Sequence, residues 1–103
     1  MKTTTVAQSS ATTVTLNSSA LGWSPEQYTT TMVQVSGMGS DNTSCTLKAL
    51  GPSGAYATVT NLGEGDAHIF DSGVWTGFQL VFDNAGTATI GVKAYHLDRI
   101  DGG

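Results

Sequence analysis

Two histidines and one cysteine are the side chains in this chain best suited to chemistry. His68 stands between Asp66 and Asp71, and His96 is followed two positions later by Asp98. Residues two apart share one face of a strand. Asp66–His68 and His96–Asp98 are therefore each spaced so that a carboxylate can orient an imidazole base. A polar strand edge beside a loop accounts for both pairs more simply, and no Gly-x-Ser-x-Gly turn offers a nucleophile. A glycosidase needs two acids held a few ångströms apart. Glu26 and Glu64 are the two glutamates, both in loop-like sequence, and nothing brings them together. Cys45, His68 and His96 are too scattered for a zinc centre. Asp41-Asn42-Thr43 and the stretch from Asp98 to Gly102 lack a calcium-loop pattern. Gly37-Met38-Gly39 and Gly63-Glu64-Gly65 do not open a helix, so they lack the dipole and amides that hold phosphate. The expectation is a non-enzymatic chain with no catalytic residue, metal or cofactor.

Aromatic side chains are the remaining sign of a binding surface. Trp23, Tyr28, Tyr56, Trp75 and Tyr95 are the candidates. Tyr56 and Tyr95 fall on the polar phase of their strands, so Tyr28, Tyr56 and Tyr95 are read as exposed contact residues, for a glycan or for a subunit interface. Trp75 adjoins the most apolar stretch and reads as core.

The elements that carry these residues follow from composition. The chain has 103 residues, enough for one domain. Thr, Ser and Gly dominate, while glutamate and lysine, the usual helix-surface residues, are few. Thr and Val are stiff at χ1 and suit a pleated strand, so the chain reads as all-β. The net charge is −4, and the basic residues are Lys2, Lys48, Lys93 and Arg99. No basic patch arises from such scattered charges, which argues against nucleic acid as a partner. No apolar run is long enough for a membrane helix, and Lys2 is followed by polar residues rather than a signal-peptide core. Asn17-Ser18-Ser19 and Asn42-Thr43-Ser44 match the glycosylation sequon and are read as chance in so Ser/Thr-rich a chain.

Residues 1–27 are polar and repetitive and short of large apolar residues before Leu21 and Trp23, with Val6, Val14 and Leu16 in short β-favouring stretches. They read as an N-terminal arm and connector, its strands pairing either with a partner or as ordinary edge strands. Ser24-Pro25-Glu26-Gln27 suits a single capped turn. Residues 28–103 read as the domain proper. Cys45, Leu47 and Ala49 alternate with Thr46 and Lys48. A Gly51-Pro52-Ser53-Gly54 turn then leads to a second alternating run, which predicts a hairpin. Asn61–Gly65 reads as a loop and Ala67–Phe70 as a short strand. Phe78, Leu80 and Phe82 share one face of a strand placed over Val74–Phe82. The Asp83-Asn84-Ala85-Gly86 turn and the alternating run of Ala88, Ile90, Val92 and Ala94 predict a second hairpin. Seven to eight short strands at regular spacing predict an antiparallel β-sandwich, jelly-roll-like, with an extended N-terminal arm.

The span from Thr30 to Leu97 resembles small bacteriophage virion proteins. The resemblance lies in the Val33–Gly37 strand, Cys45-Thr46-Leu47-Lys48-Ala49-Leu50, the Gly51-Pro52-Ser53-Gly54 turn and Tyr56-Ala57-Thr58-Val59. It continues through Gly77-Phe78-Gln79-Leu80-Val81-Phe82 and Thr87-Ala88-Thr89-Ile90-Gly91-Val92. Capsid decoration proteins, head fibres and tail accessories carry β-sandwich modules of this kind. The resemblance implies a structural protein of the virion, made in the host cytoplasm, that decorates and cements the outer surface of a capsid. It implies a major capsid protein or other virion protein as partner, and a homo-oligomer, a trimer first. The alternatives are a tail, neck or fibre accessory, or a carbohydrate-binding module acting in host attachment. On this reading Val6, Val14, Leu16, Leu21 and Trp23 anchor the arm to the shell or to a neighbouring subunit. Removing residues 2–22 is then expected to abolish shell binding and leave the domain folded.

Overall fold

The structure is a computed structural model and describes residues 1–71 and 75–96. The described residues form eight strands: β1 (Lys2–Ala7), β2 (Thr13–Leu16), β3 (Thr30–Ser36), β4 (Ser44–Leu50), β5 (Tyr56–Gly63), β6 (Ala67–Asp71), β7 (Phe78–Phe82) and β8 (Thr89–Tyr95). One short helix, α1 (Ser18–Leu21), and a 3-10 turn at Pro25–Gln27 join β2 to β3. Both sheets are antiparallel. The first has the order β1-β8-β3-β6 and the second β2-β7-β4-β5. The pairing is nested: β1 with β8, β2 with β7, β3 with β6 and β4 with β5. An eight-strand chain folded back on itself in this way is a jelly roll.

Alternation fixes which face of each strand is buried. Val33 and Val35 of β3, Cys45, Leu47 and Ala49 of β4, Phe78, Leu80 and Phe82 of β7, and Ile90, Val92 and Ala94 of β8 all point inward. All of these but Ala94 interdigitate between the sheets as one core with Leu16, Leu21, Met38 and Leu62. Burying a side chain of Leu or Phe size stabilises by about 1.5–3 kcal/mol, so this interior is the main source of stability.

The β4–β5 hairpin forms as expected, with the Gly54 N–H on the Gly51 carbonyl at 3.1 Å. β5 extends through Asn61 to Gly63, where sequence suggested a loop. The register shifts opposite Leu47/Lys48, leaving Val59 as the extra residue of a bulge. The bulge resets the phase, so that Leu62 reaches the core at 3% exposure. The second expected hairpin does not form. β7 and β8 lie in different sheets, and the segment between them crosses from one to the other. It is held in that crossing by Asn84, whose N–H donates to Asn42 Oδ1 at 2.9 Å and whose Nδ2 donates to the Asp41 carbonyl at 2.9 Å. Gly86 sits where a Cβ would lie 3.0 Å from Asp41 Oδ2 and 3.1 Å from Gln8 Oε1, so a larger residue there must push those side chains aside. β7 starts at Phe78, within the Val74–Phe82 stretch where a strand was expected.

Of the two readings left open for residues 1–27, the structure shows edge strands. β1 pairs with β8 from Lys2↔Ala94 to Ala7↔Thr89, and β2 pairs with β7 from Thr13↔Val81 to Leu16↔Phe78. The extended arm expected here is therefore integral to the sandwich, because the inward residues of β2 and α1 complete the core. The link to β3 also holds α1, which the sequence reading missed. Its Asn17 cap accepts from the Ala20 N–H at 2.9 Å, and Gly22 closes it at φ +82. Pro25–Gln27 takes the single turn expected, without a side-chain cap from Ser24. Both sequon asparagines serve the fold, Asn17 as this cap and Asn42 in the crossing.

Candidate functional site

Strand phase sends the remaining side chains outward, and the outer face of the first sheet is where large apolar ones collect. His68 and Phe70 take the inward phase of β6, which leaves Ile69 outside. Register then lines up Ile69 with Met32 of β3, and Met32 with Lys93 of β8. Tyr95 follows on β8, and Met1 precedes β1 alongside it. Met1, Met32, Ile69, Lys93 and Tyr95 line an open groove of about 430 Å³. Met1 is 79% exposed and Ile69 59%, and these are the large hydrophobic side chains left in solvent among the described residues. Around the groove Thr3, Thr5, Gly91 and Gln34 occupy neighbouring uncharged positions. Lys93 and Asp71 are the charged side chains that strand phase places on it, one on β8 and one on β6, with β3 between them. Neither has an ion-pair partner among the described residues.

The residues singled out from sequence are dispersed. Val14, Leu16 and Leu21 are buried in the chain's own core at 7%, 0% and 5% exposure, so they are not a contact surface. Their apolar character reflects sandwich packing. Val6 and Trp23 are half-buried against that core, and Trp23 Nε1 donates to Thr4 Oγ1 at 2.8 Å. Tyr28 is half-buried, edge-on to Trp23 at 5.5 Å between centroids and stacked on His96 at 4.9 Å. Tyr56 is half-buried on the other sheet, and Tyr95 lines the groove. Trp75, expected in the core, is half-buried at its margin and edge-on to Phe70 at 6.0 Å.

Of the two pairs considered for catalysis, Asp66 and His68 each have a structural contact. Asp66 Oδ2 accepts from the Gly63 N–H at 2.8 Å, while the His68 ring packs edge-on against Phe70 at 4.7 Å. Asp98 lies outside the described residues. Glu64 grips the β3–β4 loop, its two carboxylate oxygens accepting from the Gly37 and Met38 N–H groups at 2.8 Å each. Cys45 is buried, its thiol donating to the Leu62 carbonyl, and burial pushes the thiol up to about 11. The described residues contain no group of three or more His, Cys, Asp or Glu able to hold a metal ion, and no helix long and apolar enough to cross a membrane.

A second polar cluster, missed in the sequence, ties the crossover end together. Gln8 is 1% exposed. Its Nε2 donates to the Ala11 carbonyl at 2.7 Å and the Asn84 carbonyl at 2.9 Å, and its Oε1 accepts from the Ala88 N–H at 3.2 Å. This cluster is scaffold, whereas the groove is the surface with unsatisfied apolar area. Compared with known proteins, the chain matches no family model and no curated sequence.

Proposed function

We propose that this chain is a non-enzymatic structural protein of a bacteriophage virion, a decoration or cement module that binds and stabilises the outer surface of the head. The observation that carries this reading is the nested eight-strand order, β1-β8-β3-β6 against β2-β7-β4-β5. Jelly rolls of this order recur in virion and lectin modules. The groove face of the first sheet is the contact surface in this reading. A shell protein and further copies of the chain are its partners. Adding the purified protein to shells assembled without it is expected to raise their melting temperature by several degrees and to co-sediment with them. Shells that melt unchanged, with the protein left in the supernatant, would refute it.

A tail, neck or fibre position uses the same physics, and binding to tails but not heads would select it. A carbohydrate-binding role is the second reading. It is favoured by one observation, the aromatic cluster of half-buried Trp23 and Tyr28 with exposed His96. A glycan stacking there would quench tryptophan fluorescence on titration.

A further inference from the structure

The groove face has a property that identifies its occupant. Met32 of β3 lies between Lys93 on β8 and Asp71 on β6, with Ile69 two residues from Asp71 on that edge strand. A face with an apolar centre, a cation on one side and an anion on the other is complementary to itself when turned about a two-fold axis. We propose that it docks a second copy of this chain, sheet face to sheet face, with Lys93 of each copy against Asp71 of the other. This rests on the reading of the face as a contact surface and takes a second copy, rather than the shell, as its occupant.

Three observations support a copy as the occupant. The large apolar side chains left in solvent among the described residues, Met1 and Ile69, both belong to this groove. Lys93 and Asp71 make no ion pair with another described residue, so pairing across an interface breaks none among them. A Cβ built on Gly91 meets nothing within 4 Å, so the sheet floor beside the groove is open to close approach.

Size sets the strength. Four strands about 4.8 Å apart, each up to seven residues at about 3.4 Å, present roughly 450 Å² in projection. A stable interface usually covers about 800 Å² per partner. The pairing is therefore weak and concentration-dependent in solution, and it strengthens where many copies are held close together.

The test is sedimentation across a wide concentration range, with melting curves as a control for folding. The chain is expected to pass from monomer to dimer as it is concentrated. Ile69→Lys, at an exposed position, is expected to remain monomeric with an unchanged melting temperature. Lys93→Asp and Asp71→Lys are each expected to weaken dimerisation about tenfold or more, and the double exchange is expected to restore it. A chain that stays monomeric, forms a trimer, or dimerises equally well with Ile69→Lys overturns the inference. A monomer that still raises the melting temperature of shells would overturn this pairing alone, whereas a dimer that ignores shells would overturn the virion role alone.

Discussion

A buried amide is tolerated only where each of its polar atoms finds a partner. Gln8 meets that condition by bonding three segments of chain at once, the β1–β2 connection, the β7–β8 crossing and the start of the last strand run. Gln8→Ala leaves the Ala88 N–H and the Ala11 carbonyl without partners and is expected to lower stability by about 2–3 kcal/mol, read from urea denaturation. Cys45 gives a pH dependence of definite sign. Burial raises the folded thiol from 9.0 to about 11. As pH rises past 9 the unfolded chain therefore loses the thiol proton while the folded chain keeps it, and stability falls between about pH 9 and 11. Cys45→Ala should flatten that part of the stability curve. The same burial predicts slow thiol labelling of the native protein and rapid labelling after denaturation. Neither residue's role was legible in the sequence. Gln8 sits in a polar stretch where nothing signals burial, and its partners lie up to 80 positions away.

Among elements, alternation was a sound guide to which face is buried and a poor guide to which strand lies beside it. The inward sets of β3, β4, β7 and β8 are evident from their spacing. The β7–β8 hairpin was misread because a polar, Gly-containing connection serves equally for a tight turn and for a crossing between sheets. The N-terminal strands were hard to place because Thr-rich sequence carries little apolar signal, although Leu16 proves fully buried. Removing residues 2–22 takes an edge strand from each sheet and exposes core, so it is expected to abolish cooperative unfolding by circular dichroism. This reverses the earlier expectation of a folded remainder. Leu16→Ala alone should cost about 2–5 kcal/mol. The groove was illegible for a related reason: its lining comes from separate strands that only nested pairing makes neighbours, and the short Ala67–Phe70 run does not by itself tell which face Ile69 takes.

At the scale of the whole molecule, the nested order joins the first strand to the last. Strand partners so distant in sequence make folding slow, on the millisecond-to-second scale for such all-β domains. The same pairing gives the molecule a mechanical grain. Lys2 lies opposite Ala94 at one end of the β1–β8 ladder, and Ala7 lies opposite Thr89 at the other. Tension between Lys2 and Ala94 acts across the ladder and opens its hydrogen bonds one at a time, peeling away β1, which has a single neighbour. Tension between Lys2 and Thr89 runs along the strands and loads the whole ladder together. Single-molecule pulling through these two pairs of attachment points should find the first geometry markedly weaker. A load hung between Lys2 and Ala94 would therefore unzip the molecule, while one drawn lengthwise would find it stiff.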